Sequence, residues 1–395
     1  MVRVTTRESS SAIVPKMASP QVTTTERAES IDVVDGGAFV VVQRGESSRR
    51  IPARWLRLLA ESPSDVDASN GHRRFDSVSL PSEFKVRAAI LDEETGQWEI
   101  RFEGETSGVL YDFDRLLGMA SSDELHGPER TAFSSADSPM RAVDYDMLEA
   151  PAALRSFLDT LLRRGYARVR EVPNRMEELV GFARRLRLEQ GLIQPGPFEQ
   201  SRVSEDAIAD PSHGPSLHTD EPYRDPVPGF HVQLCLESNG PGGDTIVADG
   251  LSIAATLAAE EPFAAVELAR WPMLFARTGP SIDRRRAVPL LETAADGSLQ
   301  RITFNDRAAR DFLCPDDRLP ICAGAYDTLA RIAQREGFQN TFRVKSGDLL
   351  IIDNERVLHG HRPVTGSGAN RFACGYLDRG DLMSTWRRAR AGLLD

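Results

Sequence analysis

The sequence predicts a mainly β chain with packing helices: a double-sheet jelly roll over residues 144–395, preceded by a small β-rich domain. Three observations carry that expectation. Runs such as "AFVVVQ", "QWEIRFEG" and "DLLIID" have strand length and are rich in β-branched and aromatic residues. Longer runs such as "AYDTLARIAQREG" repeat apolar residues at the helical period. Most polar motifs lie in or beside the strand-like runs, which leaves the helices outside as packing elements.

In chain order, residues 1–25 are rich in Ser, Thr and Val without either period and read as a disordered tail. Residues 26–118 hold "AFVVVQ", "FKVRAAILDE" and "QWEIRFEG", with turn residues "ETG" before the last, and make the small N-terminal domain. The polar stretch 119–143 reads as a linker to the larger domain, 144–395. There Leu148, Ala152, Phe157, Leu161 and Leu162 fall near one helical face, and "RMEELVGFARRLRLEQG" repeats that pattern up to a Gly stop. "FHVQLCLESNGPGGDTIVADG" reads as two strands joined by an Asn/Gly/Pro turn, followed by the helical run "LSIAATLAAEEPFAAVELARW". After the helix "AYDTLARIAQREG", the segments "TFRVKSGDLLIIDNERVLHG" and "NRFACGYLDR" supply further strands.

With 395 residues, 41% hydrophobic and 27% charged, the chain is long enough to bury a full core in a large domain plus a smaller one. A formal charge of −11 and a pI near 5.3 repel a phosphate backbone, and no basic run exceeds "DRRR" at 283–286. No nucleic-acid partner is expected. No apolar run of about 18 residues and no signal peptide is legible, so no membrane segment is expected. Cys235, Cys314, Cys322 and Cys374 show no metal-ligand spacing and read as free thiols of a reduced, cytoplasmic protein.

The chemistry begins in "SLHTDEPYRDPVPG", where His218 and Asp220 stand on alternate residues. Alternate residues of a strand point the same way, so both face one metal when they sit at a strand end. For a third ligand, "DLLIIDNERVLHGHRP" has the best context: an apolar strand from Leu349 to Ile352 runs into a polar loop carrying His359. Two imidazoles and one carboxylate on one side of a metal leave three positions open, as non-haem Fe(II) oxygenases need for a chelating cosubstrate and O₂. Arg371 follows His359 by twelve residues, and its planar fork suits the distal carboxylate of 2-oxoglutarate. The hydroxyl of Thr245, on the strand after "PGG", is a second donor to that carboxylate. Taken singly, these are solvated loop residues, a surface charge and a strand filler; their conjunction carries the reading. A zinc hydrolase would use the same three ligands with a bound water, but it would not need Arg371 at that offset, and no HExxH motif appears.

With those residues in place, the chain resembles the γ-butyrobetaine hydroxylase and trimethyllysine hydroxylase branch of the taurine-dioxygenase superfamily, from about residue 30 to the C-terminus. The carriers are "LHTDEPYRDPVPGFHVQLCLES", "GGDTIVADG", "RITFNDRAARD", "GDLLIIDNERVLHGHRP" and "RFACGYLDRGDLMS", in the family's order and spacing. The resemblance implies a distorted double-stranded β-helix, Fe(II) held by His218, Asp220 and His359, and 2-oxoglutarate held by Arg371 with help from Thr245. It also implies a dioxygenase that uses O₂ to convert 2-oxoglutarate to succinate and CO₂ and hydroxylates an unactivated C–H, with ascorbate helping in vitro. Because Asp220 is present, the metal lacks the further open position that related halogenases use for chloride, so hydroxylation is expected. The family tends to form dimers, and the C-terminal helix "GDLMSTWRRARAGLL", with Trp386, is the candidate contact of a homodimer; the alternative is that it covers its own core.

Two departures distinguish this chain. In the family the small domain carries a zinc site of three cysteines and a histidine; here Ala60, Ser62 and Asp65 stand at the cysteine positions and Thr106 near the histidine, so no structural zinc is expected. In the betaine hydroxylases an aromatic cage receives the trimethylammonium group. Here Asp210 aligns with one cage tyrosine, while Tyr376 in "CGYLDR" keeps its place. Asn305, in "TFNDRA", matches a polar position on the substrate side, and Tyr223 either lines the same pocket or packs its own loop. Asp210 and Glu221 near the iron suit a primary ammonium or guanidinium, which donates N–H bonds to them. The expected substrate is thus a small polar metabolite, amine-bearing on this reasoning. γ-Butyrobetaine or trimethyllysine hydroxylation in carnitine biosynthesis, or non-catalytic small-molecule binding, are the alternatives.

Overall fold

The structure is a computed structural model that describes residues 29–118, 127–137, 139–201, 217–364 and 369–394. The chain divides into two compact units, Met1–Ser121 and Ser122–Asp395. The stretch 1–25 and residues 119–126 of the expected linker lie outside the described residues.

In the first unit, Glu29–Val34, Phe39–Arg44 and Ser47–Pro52 form one antiparallel sheet, and Val86–Leu91, Trp98–Phe102 and Val109–Tyr111 form another. Period-two alternation puts Val40 and Val42 inward from the first sheet, to meet Ile100 and Phe102 from the second. Where the resemblance places zinc ligands, Ala60 is buried in this core, Asp65 pairs with Arg57 at 2.8 Å, and Thr106 is exposed.

The second unit is built on two sheets. The larger has six strands in the order Val143–Asp144, Tyr166–Arg170, Leu349–Asp353, Phe230–Ser238, Ala369–Leu377 and Ile193–Ser201. The smaller has Gln339–Phe342, Thr245–Asp249 and Val357–His361. Cys235, Leu350, Ile352 and Phe372 from the larger sheet share a core with Val247, Phe342 and Val357 from the smaller, so the sheets pack face to face. The outer face of the larger sheet, through Val232, Leu234, Leu349 and Ile351, packs on helices Pro151–Arg164, Glu178–Arg185 and Arg379–Arg390. The outer face of the smaller sheet, through Ile246, Ala248 and Leu358, packs on helices Gly250–Glu260 and Leu319–Ala333. Leu349–Asp353 is therefore buried on both faces, which accounts for its unbroken apolar run.

Three expectations need correcting. The segment 230–249 does form two strands, but they do not make a hairpin. Phe230–Ser238 pairs with Leu349–Asp353 and Ala369–Leu377, whereas Thr245–Asp249 pairs with Gln339–Phe342 and Val357–His361. Turn residues mark where the chain reverses, not which strand receives it. His359 lies within the strand Val357–His361 rather than in a loop, because the chain crosses to the smaller sheet immediately after Asp353. Trp386 is 1% exposed and donates from Nε1 to Asp159 Oδ1 at 2.7 Å, so its helix covers its own core. That leaves no exposed tryptophan for a homodimer contact there.

One buried ion pair ties the smaller sheet together. Asp249 ends one of its strands and Arg356 immediately precedes another; Arg356 Nε donates to Asp249 Oδ1 at 3.0 Å. The guanidinium also donates to the carbonyls of Arg163 and Thr131, both at 2.7 Å. Gly165, at φ +81°, closes the helix Pro151–Arg164 in the left-handed region, and a Cβ there would lie 2.7 Å from Val357 Cγ2. Replacing Arg356 by Ala leaves the Asp249 carboxylate buried without its cation and should cost about 3–5 kcal/mol in urea unfolding. A loss below about 1 kcal/mol would contradict this account of the pair.

Candidate metal centre

His218 and His359 are joined through their backbones: each N–H donates to the other's carbonyl, at 3.0 and 2.9 Å. His359 is also the register partner of Val247, so His218 lies on the opposite flank of the Val357–His361 strand. The two imidazole centroids stand 4.8 Å apart. Thr219 N donates to the Phe304 carbonyl at 2.7 Å and its hydroxyl accepts from Phe304 N at 3.1 Å, which pins the residue between the ligands. Asp220 N then donates to Asn354 Oδ1 at 2.6 Å, while Asn354 Nδ2 donates to the carbonyls of Asp220 and Pro228 at 3.0 and 2.9 Å.

The result is a compact donor set. Asp220 Oδ1 lies 3.3 Å from His218 Nε2, and Asp220 Oδ2 lies 3.5 Å from His359 Nε2. One ligand atom from each of the three residues falls within 4.8 Å of the others, the only such group among the described residues. Two imidazole nitrogens and a carboxylate oxygen converging from one side fit an octahedral transition-metal ion with open positions opposite. Burial alone would raise the Asp220 carboxyl, but the imidazoles of His359 and His231 hold it well below the usual carboxylate range. Burial likewise pushes His359 down to about 4, against the pull of Asp220. An ionised carboxylate beside a neutral imidazole is the protonation state that metal binding requires.

Two residues beyond the three expected ligands shape this centre. His231, on the Phe230–Ser238 strand, donates from Nδ1 to Asp220 Oδ2 at 2.8 Å and lies 3.1 Å from His359 Nε2. Burial lowers its pKa, but the Asp220 carboxylate outweighs that and raises it to about 10. Asn354 holds the Asp220 backbone from both sides. Neither carried a motif in the sequence, although a histidine inside the apolar run "GFHVQL" was a visible break in pattern.

The remaining expected residues divide clearly. Tyr376 is at the centre: it is the register partner of His231 and donates its hydroxyl to Asp220 Oδ2 at 3.2 Å. Thr245 is buried and opposite His361, with Oγ1 3.4 Å from His361 Nδ1. Tyr223 donates to Glu221 Oε1 at 3.3 Å and accepts from Arg277 at 3.5 Å. Glu221 pairs in addition with Arg224 at 2.5 Å, so its charge is already answered. Asn305 donates to the Thr219 carbonyl at 2.9 Å and accepts from the N–H groups of Arg307 and Ala308 at 3.1 Å, which makes it a clamp on the ligand loop rather than a free substrate donor. Asp210 lies outside the described residues.

Arg371 is not brought to the centre. On the Ala369–Leu377 strand, Phe372 faces the core between the sheets and Tyr376 faces Asp220, whereas Ala373 and Leu377 face the outer helices. Alternation places Arg371 with the second set. Its side chain is 52% exposed and pairs with Glu237 at 2.6 Å. A spacing counted along the sequence fixes neither the start of a strand nor the side it presents.

Removing the Asn354 or His231 side chain should weaken binding of added Fe(II) by about ten- to a hundredfold, as loss of groups that orient ligands does. Anaerobic competition against a metal indicator measures this, and unchanged affinity in both variants would contradict the roles assigned to them.

A family model for the taurine catabolism dioxygenase TauD, TfdA family matches residues 133–375. A γ-butyrobetaine dioxygenase from Pseudomonas sp. (strain AK-1) is 28% identical over 226 residues, 56% of this chain and 58% of that protein. The mitochondrial trimethyllysine dioxygenase of Rattus norvegicus is 28% identical over 363 residues, 88% of this chain and 84% of that protein. The γ-butyrobetaine dioxygenase of Homo sapiens is 25% identical over 385 residues, 93% of this chain and 97% of that protein. The family match spans more than half of the chain and contains all three clustered ligands, so the protein belongs to the TauD, TfdA family and is an Fe(II)- and 2-oxoglutarate-dependent dioxygenase.

Proposed function

We propose that the protein hydroxylates an unactivated C–H of a small polar metabolite at the centre formed by His218, Asp220 and His359. The observation that carries the reading is the convergence of these three side chains between two sheets that pack face to face. That packing supports a double-stranded β-helix for the catalytic domain, which we take as 144–395, with 26–118 as the separate small domain. Bound there, Fe(II) together with 2-oxoglutarate and O₂ supplies the oxidising chemistry and releases succinate and CO₂.

The protein's own part is positioning and exclusion. His218 and His359 present Nε2 atoms from two neighbouring backbone segments, and Asn354 prevents the Asp220 backbone from rotating away. His231 and Tyr376 both donate to Asp220 Oδ2, leaving Oδ1 to face His218. Burial and the charge of Asp220 raise the pKa of Tyr376, so it remains a phenol and a donor at neutral pH. Thr245 lies on the same inward face as His359 and offers a hydroxyl to the cosubstrate.

For the substrate, Tyr376 is, among the described residues, the aromatic ring other than histidine that meets the ligands, through Asp220. A quaternary ammonium needs several ring faces, so a single tyrosine favours a substrate held by hydrogen bonds. Glu221 is a weaker anchor for an ammonium than the sequence suggested, because Arg224 and Arg277 stand beside it at 2.5 and 3.7 Å. The protein supplied with Fe(II), ascorbate and 2-oxoglutarate should form succinate above the uncoupled background with a small polar metabolite from a panel that also contains γ-butyrobetaine and trimethyllysine. His218→Ala should lower succinate formation by at least about a hundredfold. Efficient turnover of γ-butyrobetaine would contradict the substrate reading, and full activity in His218→Ala would contradict the centre.

A further inference from the structure

The strands Met273–Gly279 and Ile282–Val288 pair as an antiparallel hairpin, and the run "IDRRRAV" on its second strand leaves a charge imbalance. Alternation sends the three arginines to two sides. Arg285 shares a face with Asp283 and pairs with it, Nε to Oδ1 at 2.7 Å, where both side chains are exposed. Arg284 and Arg286 point the other way, together with Val288. Their register partners on the neighbouring strand are Arg277 and Phe275, and Val288 is opposite Met273. Three guanidinium groups therefore share one face of the hairpin.

That face runs from the core to the ligand loop. At one end Met273, Phe275 and Val288 are buried with residues of the helices Gly250–Glu260 and Leu319–Ala333. At the other, Arg277 donates from Nη1 to Tyr223 Oη at 3.5 Å and lies 3.7 Å from Glu221 Oε1, in the segment that continues directly from Asp220. Tyr223 is the main cause that raises the pKa of Arg277, and Glu221 and Tyr376 add to it, so the guanidinium is within electrostatic reach of the phenol that donates to Asp220. Arg284 and Arg286 are partly buried, and among the described residues neither has an ion-pair or hydrogen-bond partner. Nη1 of Arg286 is shielded from water as well. Arg284 stands directly across from Arg277, a placement in which like charges repel. Glu221 does not offset this charge, because Arg224 already pairs with it at 2.5 Å. A partly desolvated cation without a partner is costly, and an anion that accepts from its planar fork relieves that cost.

We infer that Arg277, Arg284 and Arg286 anchor an oxyanion of the substrate, a carboxylate, sulfonate or phosphate, beside the metal centre. The inference rests on the hydroxylation reading above and names its substrate class, an acid rather than an amine. Glu221 then serves to position Arg277 and Tyr223 rather than to receive an ammonium.

The test is anaerobic titration of the full chain, loaded with Fe(II) and 2-oxoglutarate, with hexanoate, hexane-1-sulfonate, hexyl phosphate and hexylamine, which differ only in the end group. Binding beside the metal shifts the metal-to-ligand charge-transfer absorbance, whereas displacement of 2-oxoglutarate bleaches it. At least one acid should bind about tenfold or more tighter than hexylamine and weaken as salt rises, and the acid that binds best identifies the oxyanion. Arg284→Gln and Arg286→Gln should each weaken that acid by about tenfold and leave hexylamine within about twofold, while Arg286→Lys should retain part of the affinity. Arg285→Gln, on the opposite face, should bind all four within about twofold of the parent. Hexylamine binding as tightly as every acid, no shift with any acid, or acid affinity unchanged in both Gln variants would overturn the assignment. Equal weakening of acid and amine would overturn it too, because the arginines would then support the hairpin and not the ligand. If the acids bind in this way but none is hydroxylated when oxygen is admitted, the hydroxylation reading falls and the anchor stands.

Discussion

The reciprocal backbone pairing of His218 with His359 is the contact on which the rest of the centre depends. The two residues come from distant parts of the chain, and their mutual N–H to carbonyl bonds bring the imidazoles to one place. A slip of one residue in this pairing would turn His218 to the opposite side, since side chains alternate. The neighbouring contacts all serve to prevent that slip: Thr219 is held to Phe304, and Asp220 to Asn354. The Asp249–Arg356 pair then fixes the strand that carries His359 against Thr245–Asp249.

Burial makes this arrangement electrostatically demanding. Asp220 is largely buried and its carboxyl is nevertheless held well below the usual carboxylate range, which burial would oppose without compensating partners. Imidazole and phenol donors supply that compensation, with His231 and Tyr376 converging on the same oxygen and orienting the carboxylate. Preorganisation of this kind lets a metal bind without first reordering its ligands.

Much of the centre was legible in the sequence because it lies in short local patterns. His218 and Asp220 share a face by period two, and the apolar run Leu349–Ile352 announced a strand near His359. Tyr376, expected on the substrate side, donates to Asp220, and Thr245 lies on the inward face of its strand. What failed had a common cause: which neighbour a strand chooses is not encoded in its own pattern. The segment 230–249 looked like a hairpin because turn residues report a reversal only, and the two strands went to different sheets. Arg371 follows His359 by a spacing that says nothing of its partner, and its side chain pairs with Glu237. His231 and Asn354 were passed over because their partners lie far away in sequence. Asn305 kept its place beside the ligand loop but is taken up by the backbone of that loop. For the C-terminal helix the sequence left two readings open, and the burial of Trp386 against Asp159 selects the one in which it covers its own core.

The central claim is that one Fe(II) is held from one side by His218, Asp220 and His359, with neighbouring positions left open. Nitric oxide added without oxygen to the Fe(II)-loaded protein tests it directly, because it must occupy an open position. The account requires a half-integer-spin nitrosyl signal in electron paramagnetic resonance at one iron per chain, absent from His218→Ala. Iron that binds stoichiometrically but gives no nitrosyl signal would contradict it, and would mean that a further protein donor, with His231 the nearest, fills the positions the chemistry needs.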